Sequence, residues 1–342
     1  MARMITAREI AEMVNVSVST VGRAMAADPR ISAETRAKVQ RAADRLGYVG
    51  SVPARIIRGG ASNLIGLLVP EISNDFYSTI AQALSEVCAR EGHRLVLSLT
   101  GDDKDEETRH LRELVGARAA GVVIVPTAAP RRASVQLLKH IPHVQLLRRS
   151  PAVGEAWFGI DDSQSLEQAT AHLAALGHRR VGYIGGSDKL STGAARLEGF
   201  RQGCSKAGIQ DRGVFVRAGE PTREFGTQAI KELLNLPAPP TAVISGAVNI
   251  TLGIVEMIEA TGLDVPSRLS IVGFGDPEWF KWWRGGLTTI RPPVDDLATS
   301  CGLWFLNQLR DRGGRPTSLP SHSAVVSSTF VIRKSTRALR GG

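Results

Sequence analysis

Two rhythms of apolar and polar residues divide this 342-residue chain. In the first sixty residues apolar positions recur at intervals of three and four. Ile10, Ala11 and Val14 make one such set, Val21 and Met25 a second, and Val39, Ala42 and Leu46 a third. That spacing places each set on one side of a helix. Start signals precede all three. Thr6 followed by Glu9 forms a capping box, in which hydroxyl and carboxylate satisfy orphan backbone N–H groups. Ser17 and Ser32 are N-caps for the second and third helices. Asn15 and Val16 fill a tight turn, and Gly47 suits the end of the third helix. The pattern predicts three short helices, the first two joined by that turn.

From Asn63 the rhythm changes. "LIGLLVP", "RLVLSL", "GVVIVP", "HVQLL", "RRVGYIGG", "TAVISG" and "LSIVGFGD" are apolar runs of strand length. Helical patterns near 76–91, 104–117, 163–176, 193–207, 249–261 and 294–311 separate them. Apolar strands alternating with helices predict parallel sheets covered on both faces. Two such sheets fit the remaining length, and their facing carboxyl edges would form a ligand cleft.

Composition adds a partner. Residues 1–60 carry 10 Lys/Arg against 5 Asp/Glu, whereas the other 282 residues carry 32 against 28. Positive charge is thus concentrated at the front, where it could meet phosphate or an anionic surface. Cys88, Cys204 and Cys301 are far apart and without CxxC spacing, which predicts buried thiols and neither disulfides nor zinc. No apolar run approaches the length of a membrane span, and the start is charged where a signal peptide needs an apolar stretch. A cytoplasmic location without membrane contact is expected. GxSxG, Walker A, HExxH and GxGxxG patterns are all absent, so neither an enzyme nor a bound cofactor is expected.

The second helix, "VSVSTVGRAM", carries the most specific signal. Val21 and Met25 point inward, while Val18, Ser19, Gly22 and Arg23 fall on the outward face. An ordinary solvated face would hold Glu and Lys; this one is small and hydroxylated and carries one cation, as suits close approach to another surface. Two short helices with such a face describe a helix-turn-helix whose second helix enters the DNA major groove. A plain three-helix packing module is the alternative on these residues alone.

"TAREIAEMVNVSVSTVGRAM", "ISAETRAKVQRAADRLGY" and "ARIIR" resemble the headpiece of the LacI family of bacterial transcription regulators. "ISNDFY", "HLAALGHRRVGYIGG", "ARLEGF", "GLDVPSRLSIVGFGD", "LTTI" and "VIRKST" follow in family order, so the resemblance spans almost the whole chain. It implies an all-α headpiece over 1–48, a hinge over 49–60, a two-lobed α/β effector-binding and dimerisation domain of periplasmic-binding-protein type over 61–335, and a tail over 336–342. The implied function is that of a repressor, a homodimer on a pseudo-palindromic double-stranded operator, controlled by a sugar or sugar acid. A solute-binding protein of a transport system is the rival, sharing the large domain but not the first sixty residues.

The resemblance also assigns roles. Val18 and Ser19 stand at the positions that read base edges, Val18 by apolar contact and Ser19 by hydrogen bonding. Arg23 is placed for a guanine or a phosphate, and Thr6, Ser17 and Thr20 for phosphates. Gly22 replaces a usual Ser, and Ala26 an Asn. In the hinge, Ile57 stands where the family inserts a leucine into the minor groove, flanked by Arg55 and Arg58; a flexible basic linker is the other reading of these residues. Cleft candidates are Asn74, Phe76, Tyr77, Asp161, Arg196, Asn249 and Asp276, an Arg and Asp set suited to hydroxyl-rich or carboxylated molecules. Each has a structural alternative: Asn74 as a helix cap, Phe76 as core, Arg196 paired with Glu198. Two departures stand out, Ala247-Val248 at a usual Asn-Asp and Gly275 at the first residue of a frequent Asp-Asp. The aromatic run "PEWFKWW" (277–283) is placed either at the cleft mouth or in packing between loop and lobe.

Overall fold

The structure, a computed structural model, describes residues 5–25, 28–46, 48, 62–73, 75–209, 215–311 and 319–339. The chain divides into two compact units, Met1–Ser62 and Asn63–Gly342.

The first unit contains the three expected helices, α1 (Ala7–Val14), α2 (Val18–Met25) and α3 (Ala33–Leu46). Ile10, Ala11, Val21, Ala24, Val39, Ala42 and Ala43 form its small core, with Val14, Met25 and Leu46 packed against it. At the start of α1 the Glu9 carboxylate accepts from the Thr6 backbone N–H at 2.7 Å and from the Thr6 hydroxyl at 3.1 Å. Ser17 accepts from the Thr20 N–H at 3.0 Å, which caps α2. The turn between them depends on Asn15, which adopts the left-handed conformation (φ 54°, ψ 52°). Asn tolerates that region because its short polar side chain can hydrogen-bond locally, which the alanine methyl cannot do. Asn15→Ala should therefore destabilise this unit by about 1 kcal/mol and Asn15→Gly by less, as read from urea midpoints of the isolated unit's CD signal.

The second unit has two six-stranded sheets. Lobe 1 contains β1 (Leu64–Val69), α4 (Asp75–Arg90), β2 (Arg94–Leu99), α5 (Lys104–Gly116), β3 (Gly121–Ile124), α6 (Arg132–Leu138), β4 (His143–Leu146) and β5 (Trp157–Ile160). Lobe 2 contains α7 (Asp162–Ala175), β6 (Val181–Gly186), α8 (Ser191–Lys206), β7 (Val216–Gly219), α9 (Arg223–Leu234), β8 (Ala242–Ser245), α10 (Val248–Thr261), β9 (Ser270–Phe274) and β10 (Thr288–Arg291). The chain then returns through α11 (Val294–Asp311) and β11 (Ser323–Val326) to lobe 1 and through β12 (Thr329–Val331) to lobe 2. Strand orders are β11-β5-β4-β3-β1-β2 and β12-β10-β9-β8-β6-β7. All pairings are parallel except β10 with β12.

The central strands β1, β3, β6, β8 and β9 are apolar and buried because both of their faces are covered. On β1, Ile65, Leu67 and Val69 join a cluster with Leu84 of α4 and Leu297 of α11, while Leu68 turns to Leu111 and Leu114 of α5. In lobe 2, Ile184 faces Ile230 and Ile254, whereas its neighbour Tyr183 faces Leu166 and Phe200. Cys88, Cys204 and Cys301 are buried and free, as expected, and burial raises the Cys88 thiol to about 11. No helix among the described residues is long and apolar enough to cross a membrane.

The boundary expected at 335 is corrected. Residues 336–339 are fastened to lobe 2: the Arg337 N–H donates to Ser270 Oγ at 3.1 Å, and the Leu339 N–H to the Leu176 carbonyl at 2.9 Å. His178 belongs to the same seam. It is buried, with Thr241 Oγ1 at 2.9 Å from Nδ1 and Ser270 Oγ at 3.1 Å from Nε2, and desolvation lowers its pKa. A base whose folded pKa is depressed contributes stability that is complete above its unfolded value near 6.5 and is lost as pH falls toward the folded one. Thermal melts from pH 7.5 to 5 should therefore fall, by at most about 1.4 kcal/mol per pH unit for this group. His178→Gln should flatten that slope.

Candidate functional site

Two sets of residues have functional geometry, one in each unit. In the first, Val21 and Ala24 bury one side of α2, leaving Val18 49% exposed and Ser19 and Arg23 exposed on the other. Gly22 and Thr20 are partly exposed between them. The hydroxyls of Ser19 and Thr20 each lie 2.8 Å from that of Ser17, a small polar cluster at the helix start. Asp28, the nearest acid to the end of α2, is held by Arg30 at 2.7 Å, which keeps its carboxyl far below the usual range. Among the described residues Arg23 takes part in no ion pair, so its guanidinium is available to an outside anion or base. Arg55, Ile57 and Arg58 lie outside the described residues.

In the second unit a cavity of about 700 Å³ opens between the carboxyl edges of the two sheets. Lobe 1 lines it with Glu71 beyond β1, Phe76 and Tyr77 of α4, Asp102 beyond β2 and Arg148 beyond β4. Arg148 is 5% exposed and donates from Nη2 to Asp102 Oδ2 at 3.1 Å. It also bonds Tyr77, whose phenol is raised by burial against the opposing pull of Arg148. Asp102 and Leu147, the residue before Arg148, both have positive φ (59° and 62°). Asp adopts that conformation with less difficulty, but for Leu147 it costs about 1–2 kcal/mol, and such strain gathers at ligand-holding sites.

Lobe 2 contributes Arg196 of α8, Asn249 of α10 and Phe274 of β9. Arg196 Nε donates to Asp162 Oδ1 at 2.7 Å and Nη1 to the Gly246 carbonyl at 2.8 Å. Its guanidinium lies 3.9 Å above the Phe274 ring. Burial pushes the Asp162 carboxyl upward and Arg196 pulls it back. Asn249 Nδ2 donates across the cavity to Glu71 Oε1 at 2.9 Å, a direct bond between the lobes. A second crossing runs from the Arg149 N–H to Ser191 Oγ at 2.9 Å.

Of the expected cleft residues, Phe76, Tyr77, Arg196 and Asn249 line this cavity, and Asn74 lies outside the described residues. Two placements are corrected. Asp161 caps α7, accepting from the Gln164 N–H at 3.0 Å, and it is the next residue, Asp162, that reaches Arg196. Asp276 is turned away and held by Arg333 at 2.7 and 2.8 Å, its side chain 3% exposed. Neither lines the cavity. Arg196 pairs with Asp162, not Glu198. The aromatic run packs on lobe 2: Phe280 is buried, Trp283 Nε1 donates to Glu259 at 2.6 Å, and Trp282 is 72% exposed. None of these aromatics reaches the cavity. Sequence reasoning missed Arg148 and Asp102; their one signal was position, immediately past apolar strands.

A helix-turn-helix unit ahead of a two-lobed α/β domain with a cleft is the build of a transcriptional regulator. Residues 6–51 match the family model for bacterial regulatory proteins of the lacI family, and residues 170–336 match that for a periplasmic binding protein-like domain. The HTH-type transcriptional regulator GalR of Escherichia coli (strain K12) is 30% identical over 333 residues, covering 97% of this chain and 96% of GalR. The repressor CytR of the same organism is 28% identical over 335 residues, 98% of this chain and 97% of CytR. The crystal structure of the lac repressor dimer bound to operator and the anti-inducer ONPF superposes with a TM-score of 0.82 at 23% identity, over 98% of this chain and 100% of that one. The chain belongs to the lacI family of bacterial regulatory proteins.

Proposed function

We propose that this regulator is a repressor that holds a pseudo-palindromic operator as a homodimer and that a small hydroxyl-rich molecule of the sugar class, bound between the lobes, sets its affinity for DNA. The observation that carries this reading is the meeting of two arginines, the buried Arg148 from lobe 1 and the partly buried Arg196 from lobe 2, at one cavity beside the rings of Phe76, Tyr77 and Phe274. An arginine with its carboxylate partner presents donors and acceptors together, and a hydroxyl both donates and accepts. Aromatic faces suit the C–H side of a sugar ring.

A ligand that touches both lobes replaces the Glu71–Asn249 and Arg149–Ser191 crossings with its own, and so favours one lobe arrangement over another. Linkage then requires that operator and effector alter each other's affinity by the same factor. In the headpiece, Val18, Ser19 and Arg23 read bases while Thr6, Ser17, Thr20 and Gly22 approach the backbone. In the hinge, Ile57 is the minor-groove wedge, flanked by the basic Arg55 and Arg58. The lac repressor, a structural relative, is itself bound to operator as a dimer.

The test is an operator gel shift at several salt concentrations, with and without sugars that raise the thermal midpoint of the protein. Binding to a palindromic site that weakens with salt and shifts with such a sugar is the expected result. Tight sugar binding with no specific DNA affinity would instead indicate a solute-binding protein.

A further inference from the structure

The charges around the cavity narrow the effector further, on the reading that the cleft is the effector site. Every arginine lining it already has a carboxylate. Arg148 is paired with Asp102, Arg196 with Asp162, and Arg223 at the mouth with Glu256. The first two pairs form the floor, which is therefore charge-balanced. Four further acids belong to the lining, Glu71, Asp103, Glu220 and Glu224, while no other Lys or Arg is among the described lining residues. Asp103, Glu220 and Glu224 are exposed at the rim.

Helix N-termini work in the opposite direction. Those of α8 and α10 line the cavity without an acid in their first turns. Each is worth about half a positive charge, so together they offset about one of the four carboxylates. The lining remains negative.

We propose that this acidic rim over a charge-balanced floor selects an uncharged, hydroxyl-rich effector and excludes its carboxylated and phosphorylated relatives. A carboxylate or phosphate entering the cleft passes the rim carboxylates and finds each floor guanidinium already paired with an acid, Asp102 partly exposed and Asp162 buried. An uncharged sugar, polyol or nucleoside meets no such barrier. Its hydroxyls can bond the outward N–H groups of Arg196 and Arg148 and the carboxylate of Glu71, taking over the Asn249 contact.

The electrostatic filter is measurable without knowing the effector. Thr192 lines the cavity, and the native cysteines are all buried. Thr192→Cys is treated with methanethiosulfonate reagents of similar size, one carrying an ammonium and one a sulfonate. The ratio of their rates is referred to that for free 2-mercaptoethanol, with wild type as background. The ammonium reagent should gain at least about tenfold, since clefts of one charge concentrate counter-charged solutes to that degree. Added salt and the Glu220→Gln/Glu224→Gln background should both shrink the gain. A ratio equal to that of the free thiol, or favouring the sulfonate, overturns the proposal.

Thermal-shift titration of wild type with matched pairs then tests the class: galactose against galacturonate, glucose against glucose 6-phosphate, adenosine against AMP. An uncharged member that binds at least tenfold more tightly than its anionic relative supports the proposal. An anionic member that binds more tightly overturns the selectivity while leaving the cleft as effector site. If the reagent filter holds but no uncharged sugar, polyol or nucleoside stabilises the protein, the effector reading itself fails and this narrowing with it.

Discussion

Arg196→Ala should lower the stability of the two-lobed unit by about 3–5 kcal/mol and abolish its response to effector. The size follows from what is left behind. Arg196 and Asp162 are a buried pair, their side chains 11% and 5% exposed, and removing one partner of such a pair leaves the other as an uncompensated charge. The Gly246 carbonyl also loses its donor and the Phe274 ring its cation. Asp162 is already raised by burial with Arg196 opposing it, so without Arg196 it rises further. Below that raised value the carboxyl is neutral, and the stability deficit should narrow as pH falls. Asp162→Asn/Arg196→Met, which leaves no buried charge, should recover most of the urea midpoint yet remain deaf to effector. A single Arg196→Ala variant that melts like wild type and still responds would remove this residue from both roles.

The same pair shows where sequence reading succeeds and where it stops. Arg196 was legible as a cleft residue because it sits in a motif with a fixed place after a strand. The cleft acid expected at Asp161 was misplaced by one position, since "IDD" puts one carboxylate on the cap of α7 and the next into the core. Periodicity cannot decide between two adjacent acids at a helix start; only the direction in which the chain enters α7 does. Arg148 was invisible for a related reason. It follows a run, "HVQLL", that marks a strand, but nothing in the run tells whether the next residue turns into a cleft or into solvent.

The architecture was more legible than the site. Seven strands announced themselves as apolar runs, six of them buried along most of their length and the seventh, β2, an edge strand with Leu97 and Leu99 exposed, whereas β7, β10, β11 and β12 are short or lie toward a sheet edge and carry polar residues. The four-residue β5 was also missed. Helix α9 went unread because Gly226 interrupts it; a Cβ there would meet the Ile250 carbonyl oxygen at 2.4 Å, so the glycine records close packing against α10. Helix α6, of seven residues, is too short to show a period. The two departures from the family pattern lie side by side. Gly275 has φ +85°, and a Cβ on it would lie 2.5 Å from Val248 Cγ2. Val248 occupies the space that a side chain at 275 would need, and the positive φ at 275 also favours glycine.

Arg23→Ala should weaken specific operator binding by about 1–3 kcal/mol, roughly six- to 150-fold, and should hardly affect binding to random DNA. Arg23 is exposed on the outward face of α2, one turn beyond Ser19 on a helix whose other face is fixed by Val21 and Ala24. It makes no ion pair among the described residues, so its removal leaves no orphaned partner and the headpiece should unfold at the same urea concentration as wild type. Any loss of affinity is then a loss of contact with DNA. Arg23→Lys divides the two chemistries open to the guanidinium. A fork that grips the O6 and N7 of a guanine cannot be reproduced by an ammonium, whereas a phosphate accepts either. A base contact predicts that Arg23→Lys resembles Arg23→Ala, with specificity relaxed at one base pair and the salt slope nearly unchanged. A phosphate contact predicts that Arg23→Lys binds like wild type, and that Arg23→Ala weakens operator and random DNA equally, with the salt slope reduced by about one. Fluorescence anisotropy on operator, single-base variants and random duplex between 50 and 200 mM salt separates these outcomes, and equal losses on all duplexes would make Arg23 a phosphate clamp.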